Sequence, residues 1–123
     1  MTAAAIKERL AKLALALPEA SETTSHGSPG WQVAGKKFFA YFRNDHHGDG
    51  IIAVCVKTSG EEEQEVLMEA DPDIYYRPAY IAHQGWIGLR LDRPETDWDQ
   101  VAHRLQRSWQ LAAPKRLADM IGF

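Results

Sequence analysis

The sequence contains a single cysteine, Cys55, among its 123 residues, which excludes an internal disulfide and a cysteine-based metal cluster. Such cysteine usage is typical of a reducing compartment, so we expect a cytoplasmic protein. No apolar run approaches the roughly 20 residues of a membrane-spanning helix, and no membrane partner is expected. The Ala- and Leu-rich N-terminus carries Lys7, Glu8, Arg9 and Lys12 within its apolar pattern. Charges in those positions indicate a helix rather than a signal peptide.

The sequence also lacks the excess of basic residues that dedicated nucleic-acid-binding domains usually show. Its formal net charge is −3, and residues 61–92 alone contain 2 basic and 8 acidic side chains. Phosphate neutralisation supplies much of the affinity for nucleic acids, so an acidic total argues against a strongly basic DNA-binding surface. The concentration of acid in one segment nevertheless leaves the rest of the chain mildly basic. A hydrophobic content of 45% is ordinary, and residues 1–123 are expected to form one domain.

No recognisable catalytic or metal-binding motif is present, so we expect neither an enzyme nor a bound cofactor. His26, Ser28 and Asp45 would supply the residue types of a nucleophilic triad, but no G-x-S-x-G motif accompanies them. Cys55 lies within an apolar run, where a thiol behaves as a small hydrophobic group. The stretch His46-His47-Gly48-Asp49 has metal-binding side chains without the four spaced ligands of a structural site, and it is interpreted as a turn.

Three stretches show the apolar spacing of helices, and helices are predicted at residues 3–17, 60–70 and 97–113. Thr2 and Thr96 are the predicted N-caps of the first and last of these helices. The middle helix is acidic, and its inward residues are predicted to be Val66, Leu67 and Ala70.

Short runs rich in aromatic and β-branched residues predict strands at residues 31–34, 37–42 and 51–57, and a second hairpin within 73–92 that turns near 83–85. The polar residues 19–30 are predicted to form a surface loop. Alternation along the second strand places Phe38, Ala40 and Phe42 on one face and Phe39 and Tyr41 on the other. The order α-β3-α-β2-α predicts a two-layer α+β domain, with a five-stranded antiparallel sheet and helices on one face.

Several short motifs occur in the order that is typical of the MmcQ/YjbR family. They are His26-Gly-Ser-Pro29, Val33-Ala-Gly-Lys36, Asp45-His-His-Gly-Asp-Gly50, Arg77-Pro-Ala-Tyr80, Gly85-Trp-Ile-Gly-Leu-Arg90 and Ala113-Pro-Lys-Arg-Leu117. The sequence resembles that family over nearly its whole length. The resemblance implies the same element order and a bacterial protein that is commonly labelled DNA-binding, through a "double wing" of hairpins.

Two binding surfaces are therefore predicted. In the first, DNA phosphates contact the hairpin tips and the last helix through basic residues: Lys36, Lys37, Arg43, Arg90, Arg104, Arg107, Lys115 and Arg116. In the alternative, a small planar or anionic ligand, or a protein, binds an aromatic pocket on the sheet that is lined by His26, Trp31, Tyr41, Arg77, Tyr80 and Trp86. Trp31, Tyr41 or Trp86 on the open face of the sheet would also be suited to stacking on bases.

Overall fold

The computed structural model describes residues 1–121 and contains four α-helices and six β-strands within them. The helices are Ala3–Leu15 (α1), Glu61–Ala70 (α2), Trp98–Ala112 (α3) and Lys115–Met120 (α4). The strands are Ala20–Ser25 (β1), Ser28–Val33 (β2), Lys37–Asn44 (β3), Ile52–Lys57 (β4), Tyr75–Tyr76 (β5) and Trp86–Arg90 (β6). Short 3-10 turns occupy His46–Gly48 and Ala82–Gln84.

The strands form one antiparallel sheet in the order β1-β2-β3-β4-β6-β5, so the α+β class is confirmed and the predicted count of five strands is wrong. The additional strand is β1, which lies within the residues predicted to be a surface loop. It pairs with β2 along its length, from Ala20 opposite Val33 to Ser25 opposite Ser28. As an edge strand it buries little surface, and its four central residues are exposed, so it lacks the apolar alternation by which strands are recognised.

A β-bulge in β3 changes which aromatic residues enter the core. Trp31 pairs with Ala40 while the next residue of β2, Gln32, pairs with Phe38, so Phe39 is the extra residue. Phe39 and Ala40 are both fully buried, whereas Phe38 is only half-buried. The strict alternation predicted for this strand is therefore wrong at Phe38 and Phe39, which exchange faces.

All four helices contribute side chains to a single core on one face of the sheet. The strand residues of that core include Val54, Val56, Ile87 and Leu89, all with almost no exposed surface. Ser108 of α3 fixes the helix to the sheet because its hydroxyl accepts a hydrogen bond from the amide of β4 and donates one to a carbonyl of β3. We call the opposite side the helix-free face.

Within residues 1–121, no helix has the length and apolarity needed to cross a membrane.

The helix caps and inward faces agree only partly with the sequence predictions. The Thr2 hydroxyl accepts a hydrogen bond from the Ala5 amide, as an N-cap should, but α3 is capped by Asp97 rather than Thr96. In α2 the predicted inward residue Val66 is 60% exposed, and Ala70 is exposed as well.

Gln64 takes the inward position of α2 and is only 2% exposed. Its amide nitrogen donates to the carbonyls of Ala82 and Trp86, each at 2.7 Å. A polar residue on the inward face of a helix violates the apolar pattern, and here it is stabilised because its hydrogen bonds are satisfied by backbone groups.

Candidate functional site

The helix-free face is built on one row of residues that crosses five strands. The register pairs Gly30 with Tyr41, Tyr41 with Cys55, Cys55 with Gly88, and Gly88 with Tyr76. Directly paired residues of an antiparallel sheet project to the same side, so all five point away from the helices. Three of the five have small side chains or none, which leaves room for rings to lie against the backbone.

The two glycines of this row are covered by aromatic rings. A β-carbon on Gly30 would lie 2.8 Å from a ring carbon of Phe38 and 3.2 Å from one of Tyr41. A β-carbon on Gly88 would overlap the ring of Tyr76. Neither glycine has a positive φ angle, so ring packing and not backbone conformation requires glycine at these two positions.

Three of the rings on this face form a continuous aromatic strip, defined as Phe38, Tyr41 and Trp86. The ring centroids of Phe38 and Tyr41 are 4.8 Å apart at an interplanar angle of 27°, and those of Tyr41 and Trp86 are 4.9 Å apart at 45°. Phe38 and Tyr41 are half-buried, while Trp86 is 5% exposed. Burial raises the pKa of the Tyr41 hydroxyl, so it stays neutral at physiological pH. The accessible ring surface of the strip is therefore that of Phe38 and Tyr41, and it adds no negative charge.

Cations lie over two of the three rings of the aromatic strip, the central Tyr41 and the terminal Trp86, and they approach the strip from opposite ends of β4: Arg43 pairs with Ala53 near its start, and Lys57 is its last residue. The Arg43 guanidinium carbon is 5.5 Å from the centroid of the Tyr41 ring, and the Lys57 ammonium nitrogen is 5.7 Å from that of Trp86. Both distances are within the range of cation–π attraction. Burial, followed by the neighbouring charge of Lys37, lowers the pKa of Lys57, which indicates that two positive charges converge at this end.

The other end of the strip has a second arginine, Arg90, in register with Arg43. Both pair with Ala53, one from each side, so the two guanidiniums flank a small residue on the helix-free face. Arg90 is neutralised by Asp92, since its Nε and Nη2 atoms each donate to a carboxylate oxygen at 3.0 Å. Arg43 has no carboxylate partner among residues 1–121. The uncompensated charge at this end is therefore that of Arg43.

The histidine turn between β3 and β4 contacts this arginine. Arg43 Nη1 donates to His46 Nε2 at 3.0 Å, which requires a neutral imidazole. Burial, then the charges of Arg43 and His47, lowers the pKa of His46. The His46 and His47 rings are 4.1 Å apart, and His47 meets Tyr80 edge-on at 5.3 Å. Within the described part of the chain, no three His, Cys, Asp or Glu side chains are grouped to hold a metal ion.

The arginines predicted on the last long helix are compensated by acid. Arg104 Nη1 and Arg107 Nη2 lie 3.5 Å and 3.6 Å from the Glu63 carboxylate of α2. Burial raises the pKa of Glu63, but the Ser59 hydrogen bonds and the two guanidiniums outweigh it and hold the pKa below its ordinary value. Glu63 is thus ionised, and it neutralises much of the charge that a phosphate would meet there.

The basic pair on α4 is compensated in the same way. Lys115 Nζ lies 2.6 Å from the Asp119 carboxylate, and Arg116 Nη1 lies 3.5 Å from that of Glu19. The continuous basic track predicted along the last helices is therefore interrupted by acidic partners.

The β2–β3 turn differs, because its two lysines make no ion pair with any side chain in residues 1–121. Lys36 and Lys37 are exposed beside Gly35, whose φ of +63° suits the turn. Lys37 lies close enough to Lys57 to affect its pKa, so the turn adjoins the lysine end of the aromatic strip.

The residues predicted to line one aromatic pocket are not brought together. Trp31 is fully buried on the helix-covered face, where its indole nitrogen donates to Glu22 at 3.1 Å. Tyr80 is 75% exposed, and His26 lies in the β1–β2 turn. Only Tyr41 and Trp86 of the predicted set are in ring contact with each other.

Arg77 of the same set lies elsewhere, in a cleft of about 540 Å³ between the N-terminus of α2 and the Ala82–Gln84 turn. It donates to the buried Gln64 side chain at 3.4 Å. This cleft contains none of the aromatic residues of the predicted pocket.

Cys55 and Asp45, the remaining side chains considered for catalysis, have environments that suit a structural role. Burial raises the pKa of the Cys55 thiol to about 11, so little thiolate forms at neutral pH. An Asp45 carboxylate oxygen accepts a hydrogen bond from the Gly50 amide at 2.7 Å, as a turn-forming residue would.

Sequence reasoning missed Phe38, Lys57 and Tyr76 as members of the helix-free face. Lys57 could have been found by continuing the alternation of Ala53 and Cys55 along β4. Phe38 could not, because the bulge reverses its side, and Tyr76 could not, because β5 has only two residues.

The YjbR family model matches residues 15–111, which is more than three quarters of the chain. The protein belongs to the YjbR family. Its fold is similar to the crystal structure of Deinococcus radiodurans protein DR2400, which has a DUF419 domain, with a TM-score of 0.72. The two sequences are 19% identical, and the similarity covers 93% of this chain and 86% of the other. The comparison with curated proteins gives no match.

The YjbR match includes every ring and cation of the helix-free face but not the Lys115–Arg116 pair. The face is thus part of the family domain, whereas the basic start of α4 lies beyond the matched residues.

Proposed function

We propose that this YjbR-family protein is a non-enzymatic, cytoplasmic nucleic-acid-binding protein that holds a single strand on its helix-free face. Bases would stack on the Phe38 and Tyr41 rings of the aromatic strip, and phosphates would lie near Lys37 and Lys57 at one end and Arg43 at the other. The observation that carries this proposal is the continuous contact of Phe38, Tyr41 and Trp86 beneath cations on a face that no helix of residues 1–121 covers.

A single strand fits this face better than a duplex. Stacking on a protein ring requires an exposed base plane, which base pairing and stacking within a duplex conceal. The basic residues better placed for a duplex, Arg104, Arg107, Lys115 and Arg116, each have an acidic side chain within 3.6 Å. The family label of DNA binding is thereby retained as nucleic-acid binding, with the contact surface moved from the last helices to the sheet.

The charge of the molecule sets the expected energetics. With a net charge of −3, long-range attraction of phosphates is weak, so stacking at about 1–3 kcal/mol per base has to supply much of the affinity. Three uncompensated cations would release about two counterions on binding a single strand, which gives a slope near −2 in log affinity against log salt.

The test is fluorescence anisotropy with a labelled 15-nucleotide oligothymidine and a duplex of equal length, at 50 and 200 mM salt. We expect the single strand to bind at least about tenfold more tightly than the duplex, and its affinity to fall about 20-fold over this salt range. Tyr41→Leu should weaken binding by about tenfold through loss of stacking. Lys57→Gln should weaken binding and reduce the salt slope by about 0.7.

Arg107→Gln and Lys115→Gln provide matched controls, because each removes one positive charge that already has an acidic partner. Both should leave the affinity for the single strand within about twofold of the parent, given that surface ion pairs contribute little. Duplex binding that is as tight as single-strand binding, and that these two variants weaken, would contradict the proposal and support contact through the last helices. Absence of binding at 50 mM salt would rule out nucleic acid as the ligand.

A planar small ligand on the same strip is the second candidate, favoured by the ring geometry itself. The two candidates are distinguished by how the affinity depends on oligonucleotide length. A thymidine mononucleotide should bind far more weakly than the 15-mer if several bases stack. Equal affinity for both would indicate a small-ligand site.

A further inference from the structure

A groove of about 520 Å³ lies at the N-terminal ends of α1, β4 and α3, beside the core residues Ile6 and Leu91. Its floor is apolar, since Ile6 and Leu91 are each 3% exposed and Ile52 is half-buried beside them. Half-buried Trp98 forms one wall. Grooves of this size and composition are typical of sites for small organic molecules.

The rim of the groove has two guanidiniums. Arg9 stacks over the Trp98 indole, with its guanidinium carbon 4.5 Å from the ring centroid, and it forms no ion pair with any residue from 1 to 121. Arg93 Nε is shielded from solvent without a hydrogen-bond partner in the same range, and its contact with Glu95 is 3.7 Å, longer than a hydrogen bond. A shielded donor without an acceptor is costly, and an anionic ligand would satisfy it.

Asp92, the acidic side chain that lines the groove, does not offset these charges. Asp92 lines it, but both of its carboxylate oxygens accept hydrogen bonds from Arg90, and one also accepts from the Ile52 amide at 3.4 Å. The pKa of Asp92 is raised by burial but lowered more strongly by these hydrogen bonds and by Arg90, so it is an ionised, already neutralised group. Because Glu95 pairs with Arg93, the uncompensated positive charge offered to a ligand by the groove is that of Arg9.

We infer that this groove binds a small organic anion with a flat apolar body, such as an aromatic carboxylate. Its ring would pack on the Ile6 and Leu91 floor beside Trp98, and its carboxylate would accept hydrogen bonds from Arg9 and Arg93. Guanidinium and carboxylate groups match in planar, bidentate geometry, which gives both affinity and orientation. This inference does not depend on the proposed nucleic-acid function, because none of these residues belongs to the aromatic strip.

The test uses 1-naphthoate as the probe and 1-naphthalenemethanol as its neutral analogue, with isothermal titration calorimetry for affinity and ¹H–¹⁵N spectra for location. We expect saturable binding of 1-naphthoate with the largest shifts at Thr96, Trp98 and the Trp98 indole. Arg9→Gln and Arg93→Gln should each raise Kd by about tenfold. Loss of the carboxylate in the neutral analogue should likewise weaken binding by about tenfold or more.

Lys12→Gln is the matched control, because it removes an exposed cation from the same helix as Arg9 without reaching the groove. It should leave Kd within about twofold of the parent. Unchanged dispersion of the ¹H–¹⁵N spectra verifies that each variant is folded, and Arg93→Lys, which keeps the charge, provides a second measurement at that position. The inference is overturned by equal affinity for the neutral analogue, by equal losses in Lys12→Gln and Arg9→Gln, or by no saturable shift at the groove.

Discussion

Gly30 and Gly88 determine whether the rings of the helix-free face can lie against the sheet. Both face away from the helices, and both are covered by an aromatic ring that occupies the space of a missing side chain. Other glycines of this chain, such as Gly35, serve a turn through a positive φ angle and have open space around them. A glycine inside a strand weakens the strand unless another group packs where its side chain would be. Here the rings of Phe38, Tyr41 and Tyr76 pack in those positions.

Gly88→Ala should therefore destabilise the protein by about 1–3 kcal/mol, because the new β-carbon would force the Tyr76 ring out of its packed position. Urea unfolding measures this cost. On a Tyr76→Ala background the ring is gone, and the same Gly88→Ala change should cost much less, giving a coupling free energy of about 1 kcal/mol or more. Equal costs on the two backgrounds would show that backbone entropy, and not contact with the ring, explains glycine at this position.

At the scale of elements, β1 illustrates how a strand can form without an apolar pattern. Its backbone pairs with β2, and Glu22 ties it to its neighbours: one carboxylate oxygen accepts from the Trp31 indole at 3.1 Å, the other from Lys7 of α1 at 2.7 Å. A single exposed strand residue thus links the edge strand to the core tryptophan and to the first helix.

Glu22→Ala should destabilise the protein by about 1–2 kcal/mol, since it leaves the indole N–H of the buried Trp31 without an acceptor. Faster amide hydrogen exchange confined to β1 and the adjoining part of β2 should accompany the loss. Thr24→Ala, an exposed change in the same strand, should remain within about 0.5 kcal/mol of the parent. A similar loss in both variants would mean that strand propensity rather than the Glu22 hydrogen bonds stabilises this edge.

Glu63 connects two helices, because its carboxylate accepts from the Ser59 amide at 2.7 Å and lies near Arg104 and Arg107 of α3. Its pKa in the folded protein is below the ordinary value of 4.5, so the carboxylate favours the folded state fully above pH 4.5. That contribution is lost as the pH falls through the folded pKa.

Glu63→Gln should then cost about 1 kcal/mol at pH 7, and the difference from the parent should narrow steadily below pH 4.5. Urea unfolding between pH 3 and pH 7 measures the difference. Glu62→Gln, an exposed neighbour, should show almost no change at any pH. A Glu63→Gln deficit that persists undiminished at the lowest pH would assign it to helix packing and not to the charge.

The elements that sequence could predict are those whose burial is periodic. Leu10, Val54 and Leu105 each belong to a series of buried apolar residues that recurs at the spacing of a helix or a strand. The elements α1, β4 and α3 are therefore recognisable from the sequence. The features that could not be predicted have no local signature: the polar edge strand β1, and the bulge that moves Phe39 inward. The ion pair that neutralises Arg116 belongs with them, because Glu19 is distant in sequence and meets it only through the fold.

At the scale of the whole molecule, the acidic excess and the aromatic strip occupy different elements. The exposed glutamates of α2 include Glu61, Glu62 and Glu69, while the uncompensated cations border the strip on β3 and β4. A net charge of −3 then describes a polarised surface and not a uniformly acidic one. Exposed charges act over about 10 Å at 0.1 M salt, so if the proposed strand binds, we expect α2 to reduce the attraction of its phosphates without contacting them.

Replacing Glu61, Glu62 and Glu69 together by glutamine tests the electrostatic effect of α2 on binding, given single-strand binding as proposed. The affinity for labelled oligothymidine should rise by about threefold at 50 mM salt, because the approaching phosphates meet less repulsion. The gain should shrink at 300 mM salt as the Debye length falls. On a Tyr41→Leu background the same ratio should appear, since distant and independent effects add. A gain that salt does not alter would instead mean that α2 contacts the strand directly, and that the binding surface extends from the sheet onto this helix.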